Sequence, residues 1–365
     1  MRIYSLVYFR LQFLHFCLLL TISMHIPSIL TAQQAGRLLN AHLAEDDVLR
    51  LVFYNVENLF DTLDDPRIAD EDFTPAGKRE WHYGKYRDKL MRISRVLMHC
   101  GGWRKPALIG LCEVENRKVL HDLLQRTPLW YYRYEIIHFN SEDHRGIDVA
   151  LLYDPARLRP LDARPLRLCF EGEPHKRSRD ILYARFALSQ GQILHYFVNH
   201  WPSKYGGAQA TETYRLQAGR FLRAVADSIL SDKANAILVA CGDFNDGPAS
   251  ASLSLLDEGA DPPFLNLMKC LPQLGAGTHK HAGQWEMLDQ FLISPGLLAD
   301  STRTSLRYAG LGILTAPYLL TEELNRTGHR PFRSFAGTFY QYGFSDHLPV
   351  YLDLKWQCKR DQVLP

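Results

Sequence analysis

The feature that most constrains the fold of this chain is a series of short apolar runs interleaved with two amphipathic stretches. Runs of this length, bounded by turn residues, are typical of buried strands. They predict strands at Leu49–Tyr54, Ala107–Cys112, Asp148–Tyr153, Ile181–Leu188, Ile193–Asn199, Ala236–Cys241, Leu288–Ile293 and Leu348–Leu354. Many strands mixed with helices in one domain of this size predict a layered α/β architecture, with sheets packed inside helices.

The two amphipathic stretches predict helices. In the first, apolar residues recur at helical spacing at Tyr86, Leu90, Ile93 and Leu97, and arginines occupy other faces. The second extends from about Glu212 to Leu230. No low-complexity linker or repeat interrupts the chain from Val48 to about Cys358, so we predict one domain over 48–358, preceded by a spacer at 33–47 and followed by a tail at 359–365.

The N-terminal segment, residues 1–32, is interpreted as a signal peptide. Arg2 and Arg10 precede or begin a largely apolar run that continues to Ala32. Cleavage there would export the protein to the periplasm or the extracellular space. An uncleaved membrane anchor is the alternative, because the run approaches the ~20 residues that span a bilayer.

Composition sets only broad limits. The 365 residues are 46% hydrophobic and 22% charged, which is typical of a globular protein. The formal net charge of +2 gives no bulk positive field that would argue for a nucleic-acid partner, although a local basic rim could still bind one. The basic stretch from Pro174 to Arg179 is predicted to be a loop.

Six cysteines follow the predicted signal peptide. An even number in an exported chain permits disulfides but assigns no pairing. Cys112 and Cys241 each end an apolar run, which indicates buried thiols rather than bridges. The six are Cys100, Cys112, Cys169, Cys241, Cys270 and Cys358.

Polar side chains follow the predicted strands at the points where the strands end. Burying acids and amides next to apolar strands is costly unless they are paired, hydrogen-bonded or metal-bound. Strand ends of α/β sheets commonly meet in one cleft. We therefore expect one polar site assembled from Asn55, Glu113, Asn199, His200, Asp243, Asn245, Asp289, Asp346 and His347.

The residue types in this set narrow the chemistry. Carboxylate and amide oxygens are ligands for Mg²⁺, Mn²⁺ or Ca²⁺ rather than zinc. Histidines beside carboxylates move protons or donate to a charged transition state. The combination suits attack of water on phosphorus. The sequence contains no G-x-S-x-G turn and no P-loop, which argues against a serine hydrolase and a P-loop nucleotidase.

These motifs, in this order, resemble the endonuclease/exonuclease/phosphatase superfamily over nearly all of the chain from Leu49 to Lys355. The most specific pieces are Gly242-Asp243-Phe244-Asn245 and Ser345-Asp346-His347-Leu348-Pro349-Val350. The segments around Asn55 and Asn199 are similar to the exported bacterial branch. The resemblance implies the DNase I-like fold, a four-layer sandwich of two mixed β-sheets flanked by helices.

The resemblance also implies roles for individual residues. Asn55 and Glu113 would hold the catalytic metal, Mg²⁺ or a similar ion, with Asp346 completing its shell. Asp243 would orient or deprotonate the attacking water, and Asn245 would position water and phosphate. Whether Asp243 or His347 is the base, and how many metals bind, stay open.

The imidazoles receive roles in the same way. His347 would contact the scissile phosphate and be oriented by Asp289, and His200 would stabilise the phosphorane-like state or act as a general acid. Gln290 follows Asp289 where the family more often has an aromatic residue or histidine, which weakens that assignment. Cys112 replaces a common glutamine before Glu113.

Three further residues are predicted to bind substrate: Arg145, Asn199 and Lys204. The function expected from the whole set is that of an exported, metal-dependent phosphodiesterase, an endonuclease acting on nucleic acid as a monomer with no obligate protein partner. One alternative is a phospholipid or phosphoinositide hydrolase on the same fold. A catalytically silent binding protein is disfavoured, because the acid, amide and histidine set is complete.

Overall fold

The computed structural model describes residues 48–102, 104–234, 236–269, 271, 275–298, 305–323 and 328–357. The predicted signal peptide, spacer and tail, together with Cys270 and Cys358, lie outside the described residues. Within the described ranges, no helix is both long enough and apolar enough to cross a bilayer.

The described chain alternates strands and helices. In chain order the strands are β1 (Val48–Leu59), β2 (Leu108–Val114), β3 (Glu135–His138), β4 (Asp148–Tyr153), β5 (Arg159–Leu166), β6 (Ile181–Ala187), β7 (Ile193–His200), β8 (Ile237–Asp243), β9 (Leu265–Asn266), β10 (His279–His281), β11 (Gln284–Glu286), β12 (Asp289–Ile293), β13 (Leu306–Ile313), β14 (Leu320–Glu322), β15 (His329–Pro331), β16 (Phe335–Ala336), β17 (Phe339–Tyr340) and β18 (Val350–Trp356). The helices are α1 (Tyr83–Gly101), α2 (Arg117–Gln125), α3 (Ala208–Asp232) and α4 (Ala251–Asp257), with short 3-10 turns at Glu71–Phe73, Pro128–Tyr132, Ser189–Gly191, Pro295–Leu297 and Pro317–Leu319.

Two six-stranded sheets form the body of the domain. The first has the order β13-β18-β1-β2-β4-β3, and the second has the order β5-β6-β7-β8-β12-β9. Each is antiparallel except for one central parallel pair, β1 with β2 and β7 with β8. The remaining short strands form the hairpins β10-β11, β14-β15 and β16-β17.

Side-chain alternation along the strands builds the layers. Leu51 and Phe53 of β1 pack between the two sheets, whereas Val52 and Tyr54 face the core beneath α1 and α2. Beyond the second sheet, Leu222 of α3 packs in a third core shared with α4. The predicted four-layer sandwich of two mixed sheets flanked by helices is confirmed.

The predicted strands correspond to particular positions in the sheets. All eight are found, with small shifts at their ends, and they are the central strands β1, β2, β4, β6, β7, β8, β12 and β18. The four edge strands β3, β5, β9 and β13 were not predicted. Strand β5 shows why: its residues are largely exposed, and Pro160 and Pro165 interrupt its sequence.

The structure confirms the predicted helices and the two predicted buried thiols, but it contains two further helices. The two predicted helices are confirmed as α1 and α3, while the shorter α2 and α4 were missed. Cys112 and Cys241 are buried free thiols, as expected from their places at the ends of apolar runs. Cys100 is also buried and free, and Cys169 is exposed and free, within the described part of the chain.

Candidate active site

The site forms where the carboxyl ends of the two central parallel pairs converge. In the second sheet, His200 at the end of β7 lies in register with Asp243 at the end of β8. In the first sheet, Asn55 of β1 lies in register with Cys112, so Glu113 follows directly. The Asn55 amide nitrogen, Nδ2, lies 3.1 Å from Asp243 Oδ2 and 3.4 Å from Glu113 Oε1, and it joins the two sheets.

Backbone strain is concentrated at these strand ends. Glu57, Asn58, Glu113 and Asn245 all have positive φ, between 50° and 61°. Residues other than glycine rarely adopt this conformation, and it persists where the surroundings hold the chain in place. Here the hold includes a hydrogen bond from the Asn58 amide to Glu113 Oε2 at 2.9 Å and one from the Asn245 amide to Asp243 Oδ1 at 2.9 Å.

His347 is fixed by Asp289 at the floor of the site. Its Nδ1 lies 2.6 Å from Asp289 Oδ2, and the Asp289 carboxylate is fully buried. Burial alone would lower the pKa of His347, but the charges of Asp289 and Asp243 outweigh it and raise that pKa well above its usual value. The imidazole therefore holds its proton at neutral pH, and its Nε2, 3.8 Å from Asp243 Oδ2, is left as a free donor.

His200 lies on the other side of Asp243. Its Nε2 is 3.7 Å from Asp243 Oδ2 and 4.0 Å from Glu113 Oε1. Burial, reinforced by the charges of Arg179 and Arg145, lowers the pKa of His200 well below its usual value, so this imidazole is neutral. Its Nδ1 has no hydrogen-bond partner among the described residues.

Asp243 is thus flanked by one protonated and one neutral imidazole. Both Nε2 distances exceed a hydrogen bond, so neither ring is tied to the carboxylate. Burial raises the pKa of Asp243, with a further contribution from Asp289, while His347 acts in the opposite direction. Asn245 is held beside it by a 3.0 Å hydrogen bond from Nδ2 to the Trp201 carbonyl. A buried carboxylate whose pKa is raised and which neither imidazole holds is suited to accept a proton.

Glu113 and Asp346 fit a hard divalent cation. Burial raises the pKa of Glu113, and the charge of Asp346 raises it further. Burial alone would raise the pKa of Asp346, but His347, Arg333 and His279 outweigh it and lower that pKa. The two carboxylates repel each other, and a cation coordinated by their oxygens would relieve this repulsion.

Other ligand groups near the site fit a metal less well. Asp243, Asp289 and His347 present ligand atoms within 4.8 Å of one another, as do Cys112, His200 and Asp243. However, His347 Nδ1 is occupied by Asp289, and burial raises the pKa of the Cys112 thiol well above its usual value. A protonated thiol is a poor metal ligand. Oxygen donors therefore dominate the candidate metal position.

The structure gives Asn55 a bridging place between the two carboxylates. Its Nδ2 faces Glu113 and Asp243, while its Oδ1 accepts a 3.0 Å hydrogen bond from the Glu57 amide. In this orientation Asn55 presents a donor rather than a ligand oxygen to the acids. The amide would have to turn over to serve as the predicted metal ligand.

The three predicted substrate contacts have different surroundings. The charge of Arg145 lowers the pKa values of Glu113 and His200, which places the guanidinium near the site. Lys204 lies on the rim, its Nζ 2.8 Å from Glu286 Oε1. Asn199 is fully buried, and its amide donates to the Cys241 carbonyl and accepts from the Trp201 indole, so the structure does not turn it towards substrate.

Two buried cations near the site were not predicted. Lys89 of α1 is fully buried and donates to Ser334 Oγ at 2.5 Å. Burial lowers its pKa to about 8, and burial also raises the pKa of the neighbouring Glu57 to about 7. Arg179 donates to Asp143 Oδ2 at 3.0 Å and to the Trp201 carbonyl at 2.6 Å. The basic stretch ending at Arg179 was its only sequence signal, and Lys89 had none.

Two partly exposed side chains near the site, Arg333 and His279, were also not predicted. Arg333 donates to Asp346 Oδ2 at 3.0 Å, and its Nε lies 3.6 Å from Glu57 Oε1. The His279 ring lies 4.8 Å from the ring of His347, and its Nδ1 is 3.3 Å from Glu286 Oε2. Both lie on or beside short hairpins, where no periodic pattern marked them.

Comparisons with known proteins identify the family of the chain and its fold. The model of the Endonuclease/Exonuclease/phosphatase family matches residues 50–356. Zebrafish (D. rerio) TDP2 in complex with a single-strand DNA product is 16% identical, covering 85% of this chain and all of that one, with a TM-score of 0.52. The mannosyl-6-phosphatase of Bacteroides thetaiotaomicron is 15% identical, covering 84% and 100% of the two chains, with a TM-score of 0.53.

A third structure, the human nocturnin catalytic domain with bound sulfate, is 16% identical, covering 85% and 95% of the two chains with a TM-score of 0.51. No curated protein matches the chain. At these identities the solved structures show a shared fold, and the family model extends over most of the sequence. The chain therefore belongs to the endonuclease/exonuclease/phosphatase family, whose members are phosphoric ester hydrolases.

Proposed function

We propose that this protein is an exported, divalent-metal-dependent phosphodiesterase that cleaves nucleic acid as an endonuclease and acts as a monomer. The observation that carries the hydrolytic part is the position of Asp243 between His347 and His200, at 3.8 and 3.7 Å. Because His347 is protonated and His200 is neutral, a phosphate bound between them would meet a charged imidazole on one side and a neutral imidazole on the other. Export is inferred from the apolar segment at 1–32.

In the proposed reaction, Asp243 accepts the proton of the attacking water. The water oxygen bonds to phosphorus as the bond from phosphorus to the leaving sugar oxygen breaks, and that oxygen takes a proton from solvent. His347 is already protonated and is oriented by Asp289, so it donates from Nε2 to a non-bridging phosphate oxygen instead of acting as the base. Asn245, held by the Trp201 carbonyl, positions water and phosphate next to Asp243. These groups act where charge develops in the transition state.

His200 stabilises the transition state rather than supplying a proton. A neutral imidazole donates a hydrogen bond through Nε2–H but has no labile extra proton to give to a leaving group. Its position 4.0 Å from Glu113 Oε1 keeps it beside the candidate metal position. Of the two roles considered for His200, the structure therefore supports stabilisation of the phosphorane-like state.

Glu113 and Asp346 are the residues that would hold Mg²⁺, or alternatively Mn²⁺ or Ca²⁺, with Asn55 contributing once its amide turns. A cation bound there offsets negative charge on the phosphate and makes water more acidic. The mutual repulsion of the two carboxylates supports this position.

Nucleic acid is proposed as the substrate because of the exposed residues at the rim of the site, namely Arg145, Lys204 and Tyr205. Arg145 and Lys204 are half-exposed cations that can contact phosphates on either side of the scissile bond. Tyr205, directly after Lys204, is 93% exposed and offers a ring on which a base can stack. Repeated phosphates and stacking surfaces are features of a polynucleotide.

The test is a substrate comparison with the purified protein. Plasmid DNA, RNA, sphingomyelin and phosphomonoesters such as a sugar phosphate or an inositol phosphate are incubated with Mg²⁺ or with EDTA. We expect cleavage of DNA or RNA that stops in EDTA. Turnover of only the lipid would support the phospholipid or phosphoinositide hydrolase instead, and turnover of only a monoester would indicate a phosphatase. Activity unchanged by EDTA would contradict the metal requirement.

A further inference from the structure

Fixed positive charge is built into one side of the candidate metal position. The Arg333 guanidinium lies between two carboxylates, with Nη2 3.0 Å from Asp346 Oδ2 and Nε 3.6 Å from Glu57 Oε1. Glu57 is only 2% exposed and carries no role in the proposed reaction. Two carboxylates that converge on one point would themselves form a cation site if the guanidinium were absent.

A second fixed cation lies behind the same acids. Lys89 is fully buried, and its ammonium donates to Ser334 Oγ. The Ser334 and Phe335 amides in turn donate to the two oxygens of Glu57, at 2.5 and 3.2 Å. Lys89 therefore reaches Glu57 through one serine, and it interacts through space with Asp346 and Glu113.

These contacts limit the space that a second ion could use. The Arg333 guanidinium fills the gap between Asp346 Oδ2 and Glu57 Oε1. The Lys89 ammonium lies behind Glu57, linked to it through Ser334. A second divalent ion would have to displace the guanidinium, and it would then lie near the Lys89 ammonium, which repels it.

We propose that Arg333 and Lys89 stand in for a second metal ion, so that the active site takes up a single divalent cation, at Glu113 and Asp346. Arg333 excludes a second ion by occupying the space between Glu57 and Asp346. Lys89 supplies the charge behind Glu57 that keeps the cluster stable without one. This inference rests on the proposed metal-dependent function, and it concerns how many ions that site accepts.

Metal stoichiometry measured without substrate tests the inference. The purified protein is titrated with Mn²⁺, and free ion is counted by electron paramagnetic resonance. We expect about one ion per wild-type chain and a second ion in Arg333→Met, because that change exposes Glu57 and Asp346 to each other. Arg333→Lys keeps the charge and should still take up one ion. Arg223→Met, which breaks an ion pair with Asp227 on α3, is the matched control.

Lys89 is tested by affinity rather than by number. Lys89→Met should leave one ion bound but roughly tenfold more tightly, because a repelling charge has been removed; circular dichroism checks the fold. Two ions in the wild type, one ion in a folded Arg333→Met, or an unchanged affinity in a folded Lys89→Met would overturn the inference. Failure to cleave any phosphate ester would contradict the proposed function and would leave these ion counts unaffected.

Discussion

The centre of the site and its rim are held by different kinds of contact. In the centre, strand ends fix Asp243, Asp289 and His200, and their side chains are at most 3% exposed. On the rim, Arg145 and Lys204 are 39% and 32% exposed, and each is held by an ion pair with a carboxylate. The centre is therefore positioned by sheet register, whereas the rim is positioned by ion pairs that water and salt can reach.

The two rim carboxylates also differ from each other. Asp143, which holds Arg145, is buried beside Arg179, and these two side chains are 4% and 5% exposed. Glu286, which holds Lys204, is 29% exposed, and hydrogen bonding from His279 and then Lys204 lowers its pKa to about 2. We expect the Arg145 side to be stiff and the Lys204 side to be adjustable, which is where substrate preference is most easily changed.

The largest effect is expected from Asp243→Asn in the centre. The amide keeps the shape of the side chain but cannot accept the proton of water, so kcat should fall roughly 10³-fold. The rate is measured by plasmid cleavage in Mg²⁺. Asp227→Asn, an equivalent change on the surface of α3, should leave the rate unchanged. A rate within tenfold of the wild type would remove Asp243 from the role of base.

A smaller loss is expected from Asp289→Asn, together with a displaced pH profile. Asp289 raises the pKa of His347, so its removal lets that pKa fall towards the usual value. His347 then loses its proton at lower pH, and the alkaline limb of kcat should move to lower pH. The loss relative to wild type should be roughly 10²-fold in alkaline solution and shrink in acid. A uniform loss at every pH would show that Asp289 has only a structural role.

A change on the rim should act mainly on binding. Lys204→Met is expected to raise KM for DNA about tenfold with kcat nearly unchanged, because one charge-assisted phosphate contact is lost. The salt dependence of KM should become shallower by about one counterion. Lys269→Met, which breaks a similar 2.8 Å pair with Asp257, is the control. A fall in kcat without a change in KM would place Lys204 in the centre.

The smallest expected effect concerns stability. Glu113→Gln removes the charge of a side chain that is 17% exposed and whose pKa is raised by burial and by Asp346, so without metal the variant should be more stable by about 1 kcal/mol. An acid with a raised folded-state pKa destabilises the protein as pH rises through that pKa. The gain should therefore vanish at acid pH. Thermal melting in EDTA measures it, and equal melting temperatures at neutral pH would contradict the mutual repulsion.

The same contrast between centre and margin explains what the sequence could predict. Central strands such as β1 and β8 are buried on both faces and appear as continuous apolar runs. Edge strands such as β5 alternate charge and proline on a half-exposed surface, so they carry no such signal. Prediction succeeded where burial dictates composition and failed where solvent permits many residue types.

The candidate site follows the same division. His200, Asp243 and Asp289 end central strands, and the structure brings them together as expected. Lys89 reaches the acids from a helix and Arg333 from the segment between two short hairpins, so only the tertiary structure reveals them. Asn199 lies at the predicted strand end, but its side-chain amide is hydrogen-bonded to Cys241 and Trp201 and does not face substrate. The sequence could not show this, because it depends on hydrogen-bond geometry.

The most direct test of this account compares two substrates in one set of variants. The ratio of kcat/KM is measured for plasmid DNA and for bis(p-nitrophenyl) phosphate, a small diester that cannot reach the rim, with Mg²⁺ present. We predict that Asp243→Asn loses activity on both substrates about equally, whereas Lys204→Met loses it only on DNA. Loss of the small diester in Lys204→Met, or its retention in Asp243→Asn, would contradict the separation of a chemical centre from a substrate-binding rim.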